Sequence, residues 1–122
     1  MSKPHYTIEE NQNKIVLEKI LRYCNEIDRM IDRFGNTFEA FNSDLAFKLA
    51  GGACIIYIGE LTTRLTEDFK KQHSEIDWKS LKKSSDKHLH DYENVNLKID
   101  WEILTKDIPA LKKSLQEILE VM

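Results

Sequence analysis

The sequence predicts an all-α protein, an up-and-down bundle of four to five helices. Three observations carry that prediction. Apolar residues recur at steps of three and four through most of the chain, the spacing that stripes one side of a helix. Helix caps and stops fall where one apolar stretch gives way to the next. No stretch shows sustained alternation of apolar and polar residues, so no strand is predicted. A chain of 122 residues suits one domain, over 1–122, and can bury a single core without staples.

The elements follow in order. Residues 8 to 34 read as one long helix, with Ile15, Val16, Ile20, Tyr23, Cys24, Ile27, Met30, Ile31 and Phe34 on its apolar stripe. Gly35 is a natural stop. Asn36 and Thr37 restart the chain, and Phe38 and Phe41 suggest a short apolar turn. A second long helix is expected from Asp44 to Lys71, capped by Ser43, with Leu45, Leu49, Ile56, Leu61, Leu65 and Phe69 on its buried face. Its middle holds Gly51 and Gly52, each costing about 1 kcal/mol relative to alanine in a helix interior. Close approach of a neighbouring helix would offset that cost, and so would a partner subunit or ligand.

Residues 72 to 76 are a polar connector, after which Asp77 caps a third helix from Trp78 to His90. A polar break at Glu93 to Asn96 precedes a fourth helix from Leu97 to Thr105. Asp107 is expected to cap the last helix, with Pro109 tolerated in its first turn.

Composition narrows the function classes. Apolar residues make up 41% and charged residues 32%, mixed in sign, which is globular rather than disordered. The net charge of -3 argues against a wholesale nucleic-acid coat but leaves room for a local basic patch. Cys24 and Cys54 form no CxxC pair and read as buried reduced thiols. The opening Met-Ser-Lys-Pro-His-Tyr lacks a signal-type apolar core, and the longest apolar stretch, Ala53 to Ile58, falls short of a membrane span. A cytoplasmic protein with no membrane role is therefore expected.

Chemistry concentrates in Trp78-Lys-Ser-Leu-Lys-Lys-Ser-Ser-Asp-Lys-His-Leu-His-Asp-Tyr92. Between Lys79 and His90 four lysines face one acid, a local charge of +3 in an acidic chain. On a helix, Lys83, Asp86 and His90 share a face. An imidazole beside an ammonium and a carboxylate is a workable acid/base site near neutral pH, and lysine binds phosphate as a point charge. Lys82, Lys83, Lys87 and His88 are the candidate RNA-binding residues. A lysine-rich helix face is equally what a solvated surface looks like, and histidines near a helix C-terminus also serve as dipole partners. The spacing of histidines and cysteines matches no structural zinc site, and there is no glycine-rich phosphate loop, so neither metal nor cofactor is expected.

The order of elements and motifs resembles the HepT-like branch of the HEPN family. Gly59-Glu60 with Arg64-Leu65 is similar to that group's glycine-glutamate signature. Ile76-Asp77-Trp78 resembles the entry to its motif helix, and His90-Asp91-Tyr92 its histidine-x-tyrosine. Val95 through Trp101-Glu102, then Asp107 to Leu111, resemble its tail. The resemblance covers nearly the whole chain. It implies a homodimer with a composite groove, acting on RNA as a metal-independent endoribonuclease. It further implies a toxin whose motif tyrosine is blocked by AMP from a small nucleotidyltransferase, the antitoxin partner. By position His90 would be the catalytic histidine and Tyr92 the AMP acceptor. Cleavage would proceed by attack of a 2'-hydroxyl on the adjacent phosphate.

The sequence departs from the family at the motif arginine. Its position holds Ser85, beside Asp86 where an asparagine is usual. A serine supplies no cationic fork for a phosphate. Lys83, with six residues between it and His90 and four between it and His88, is a partial and less preorganised substitute. Three functions therefore stand side by side: an RNA-cleaving toxin, a non-catalytic binding partner of a nucleotidyltransferase, and a purely structural helical dimer.

Overall fold

The computed structural model describes residues 7–122; the opening segment, on which the absence of a signal-type core was read, lies outside them. Helix α1 spans Ile8–Phe34. Thr7 and Glu10 close a capping box at its start, and Gly35, at φ 117°, ends it with its N–H on the Ile31 carbonyl. The stripe holds from Val16 to Met30, with Leu17 added to it fully buried. Ile15, expected on that stripe, is exposed.

Helix α2 (Phe38–Ser43) is capped by Thr37, and α3 (Leu45–Thr62) by Asp44 rather than the expected Ser43, which instead ends α2. The long helix expected to reach Lys71 breaks after Thr62, and a separate α4 runs from Glu67 to Gln72. Two threonines and one distant asparagine cause the break. The Thr62 and Thr63 hydroxyls donate to the Gly59 and Glu60 carbonyls, both at 2.6 Å, and tighten the last turn. Thr66 then caps α4, and its own N–H donates to Oδ1 of buried Asn13 on α1 at 3.1 Å. The buried face of α3 also differs from expectation. Leu45 and Leu49 are exposed, whereas Phe47, Gly51, Gly52, Ile55, Ile58 and Gly59 face inward. The helix is apolar nearly all round, so periodicity does not single out a face. By length and composition it would also pass as a membrane span, but its inward face packs against α1 and the next long helix.

That next helix, α5, spans Trp78–His90 behind the Asp77 cap, as expected. A 3₁₀ turn at Tyr92–Asn94 leads to α6, Leu97–Glu102. The chain then passes through a π-helical turn, Ile103–Asp107, straight into α7, Ile108–Val121. The two expected helices at this end are thus one continuous rod. Asp107 lies inside that rod in αR conformation and makes no cap. Pro109 lacks an N–H for the carbonyl four residues back, and the wider π turn lies immediately before it.

Four long rods therefore form the bundle, with α2 and α4 as short connectors, and the described residues contain no strand. Leu17, Phe47, Leu104 and Leu115 lie fully out of water at its centre. Each such burial stabilises the fold by roughly 1.5–3 kcal/mol relative to exposure. At one end Phe41, Phe47 and Trp101 tie α2, α3 and α6 together through ring contacts at 5.1 to 5.8 Å between centroids. The mid-helix glycines are explained by these intrachain contacts. A Cβ on Gly51 would lie 2.8 Å from Leu104 Cδ1, and one on Gly52 would lie 3.1 Å from His88 Nδ1.

Candidate functional site

Helices α3 and α5 run antiparallel in close contact, with Gly52 opposite His88 and Gly59 opposite Leu81 and Ser85. This register decides which motif residues face inward. Ser85 is fully buried in the seam; its hydroxyl donates to the Ile56 carbonyl at 3.1 Å and lies 3.3 Å from Glu60 Oε1. A Cβ on Gly59 would overlap the Ser85 side chain, so the glycine is what lets the helices meet here.

Glu60 anchors the polar rim of the seam. Lys82 Nζ lies 2.6 Å from Glu60 Oε1 and 2.9 Å from Asp86 Oδ1. The Lys82 ammonium, helped by Ser85, holds the Glu60 carboxyl below its usual range, while Asp86 and Glu60 push the Lys82 ammonium up. Lys87 pairs with Asp91 at 2.9 Å; together with Asn94 it lowers the Asp91 carboxyl. Of the expected RNA-binding lysines, Lys82 and Lys87 are thus already engaged, whereas Lys83 is exposed and in no ion pair among the described residues. The shared face of Lys83, Asp86 and His90 does not become a contact, because Asp86 turns to Lys82.

The two histidines part company. His88, expected on an RNA-binding surface, is buried at 5% exposure; its Nε2 lies 3.0 Å from Oδ1 of Asp100, itself 5% exposed. That expectation is corrected: the ring belongs to the core, with Nδ1 unpartnered against Gly52. His90 is exposed on the last turn of α5 and makes no ion pair among the described residues. Tyr92, on the turn that follows, is 46% exposed, with its ring centroid 6.1 Å from that of His88. Sequence reasoning missed Asp100. No local signal marks it, because Lys98 and Glu102 alternate with the apolar residues in the same way.

Both thiols are held protonated. Burial pushes Cys24 up to about 12 and Cys54 up to about 11, with Asp28 and Glu26 adding to the rise. Neither is a nucleophile at neutral pH. A groove of about 980 Å³ opens between α4 and α5, lined in part by Lys71, Lys79 and Lys83. His90 is not among its lining residues.

The family model "Ribonuclease HepT-like" matches residues 20–118, which include the whole α3–α5 seam, His90 and Tyr92. This chain belongs to the HepT-like ribonuclease family. The HepT-like chain is 37% identical over 105 residues to a protein of Caldanaerobacter subterraneus subsp. tengcongensis named "Putative RNase", covering 85% of this chain and 91% of the relative. It is 32% identical over 81 residues to "Probable ribonuclease HepT" of Thermococcus cleftensis, covering 66% and 74%. A "Putative RNase" of Methanocaldococcus jannaschii is 29% identical over 107 residues, covering 88% and 87%. No solved structure matches the HepT-like chain.

Proposed function

We propose that this HepT-like protein is a metal-independent endoribonuclease, the toxin of a cytoplasmic toxin–antitoxin pair, working as a homodimer. The observation that carries the proposal is the position of His90. It is the one histidine of the motif helix left in solvent, at the helix end that also presents Tyr92. In cleavage, His90 accepts the proton of the RNA 2'-hydroxyl as that oxygen bonds to the adjacent phosphorus. The P–O5' bond breaks, and the partner protomer's imidazolium returns a proton to the leaving 5'-oxygen. General acid–base catalysis of this kind contributes about 10²–10⁴-fold.

A dimer supplies what one chain lacks. Among the described residues, α5 offers His90 no free cation close by: Ser85 occupies the arginine position, Lys87 is paired with Asp91 and Lys83 is two turns away. Two α5 helices related by a two-fold axis bring two histidines and both Lys83 side chains to one groove. Exposed apolar side chains favour such an arrangement, with Leu89 on α5, Leu45 and Leu49 on α3 and Ile99 on α6 all about half exposed or more. Tyr92 is the proposed acceptor of AMP from a small nucleotidyltransferase antitoxin, its half-exposed hydroxyl-bearing ring two residues after the base it would block.

Ser85 favours a second function. With that side chain locked into the α3–α5 seam, the protein would be a non-catalytic partner of the nucleotidyltransferase. The discriminating experiment is cleavage of single-stranded RNA in excess chelator. The endoribonuclease cuts, leaving a 2',3'-cyclic phosphate, and His90→Ala abolishes cutting. A folded, dimeric parent that does not cut establishes the non-catalytic partner instead.

A further inference from the structure

Toward the C-terminal end of α3, the α1–α3 surface holds another concavity, of about 310 Å³, that the proposed chemistry does not use. Its wall combines two tyrosines with three cations. Tyr23 on α1 and Tyr57 on α3 stack at 5.3 Å between centroids and 26° between planes, yet Tyr57 stays 51% exposed. Lys19, Arg22 and Arg64 line the same space, and none of them makes an ion pair among the described residues. The single carboxylate present, Glu60, is already held by Lys82.

What distinguishes these three cations is their convergence: α1 and the turn that ends α3 bring them to one concavity whose single carboxylate is already held. Three unbalanced cations around an exposed, stacked tyrosine are the two components of single-strand recognition: phosphates for the cations and a base face for the ring. The volume lies at the lower end of ligand-site sizes and suits one nucleotide rather than a duplex. Glu60 and Lys82 join the pocket to the groove along α5, and Lys82 is eight residues from His90, about 12 Å of helix rise.

We propose that this pocket is a single-stranded RNA subsite: a base stacks on Tyr57, and Arg22, Arg64 and Lys19 receive the phosphates on either side of it. The proposal rests on the ribonuclease function given above and adds to it a place where the substrate strand is held away from the bond that breaks.

The test is binding of a fluorescent single-stranded RNA to His90→Ala protein, which holds the strand without cutting it. Tyr57→Ala weakens binding by about 5- to 150-fold, the range of one base–aromatic stack, and Tyr57→Phe restores it. Arg22→Glu with Arg64→Glu lowers the slope of log affinity against log salt by about 1.4, two single-strand phosphate contacts. Lys113→Glu, exposed on α7, leaves both readouts unchanged. Thermal melts matching the His90→Ala parent exclude misfolding. Binding by the tyrosine and arginine variants equal to that of the parent overturns the subsite, as does an absence of binding at low salt. Cleavage by the wild type separates the two proposals: cutting without pocket dependence removes only the subsite, and pocket-dependent binding without cutting removes only the nuclease.

Discussion

His88 and His90 stand two residues apart on one helix and meet opposite surroundings, because two residues turn a helix through about 200°. His88 is locked in the core against Asp100, and His90 is left in water. A buried polar pair of this kind is costly to break but not to replace. His88→Ala or Asp100→Ala alone leaves the other group buried without its partner and is expected to lower stability by roughly 3–5 kcal/mol. The double change His88→Leu with Asp100→Leu is expected to recover most of that loss, since the site is otherwise apolar. Chemical denaturation of the three variants checks this, and a double variant as unstable as the singles contradicts it. Ser85 follows the same logic at smaller scale: its hydroxyl completes hydrogen bonds across the seam. The sequence singled out Ser85, His90 and Tyr92 through the motif they match or depart from. It left the burial of His88 unread because Asp100, the residue that explains it, lies on another helix.

Among the elements, the α3–α5 seam has the least slack. A Cβ on Gly59 would overlap the Ser85 Cβ and lie 2.7 Å from the Leu81 carbonyl oxygen, and a backbone atom cannot move aside. Gly59→Ala is therefore expected to destabilise by about 1–3 kcal/mol or more, despite the better helix propensity of alanine. Adding Ser85→Gly relieves the side-chain overlap and recovers part of the loss; thermal melts of the single and double variants measure the coupling. Element boundaries were legible where the signal is local. Gly35 ended α1 and Asp77 began α5, since a left-handed stop and an acidic cap act within one turn. They were illegible where a distant residue decides. Asn13 fixes the break between α3 and α4 from 53 residues away, and the π turn before Pro109 carries one rod through what read as a cap at Asp107. The inward face of α3 was misread because Leu45 and Leu49 are as apolar as the residues it buries.

For the whole molecule, an acidic chain can bind RNA only by concentrating its cations, and the proposed two-fold dimer along α5 would do that twice over. The exposed leucines of α3 give the assembly its test. Leu49→Glu, 51% exposed and so tolerated by the fold, is expected to turn a dimer into a monomer in analytical ultracentrifugation and to reduce cleavage with it. A dimer unchanged by Leu49→Glu places the interface elsewhere. RNA affinity is expected to fall steeply with salt, as phosphate contacts require. The division of labour between the two histidines is tested most directly by the rate of RNA cleavage in chelator for three proteins: the parent, His90→Ala, and the His88→Leu, Asp100→Leu double variant. Cleavage by the parent and the core double variant, with none by His90→Ala, is the expected result. Cleavage by His90→Ala at the parental rate would contradict it and remove His90 from the chemistry.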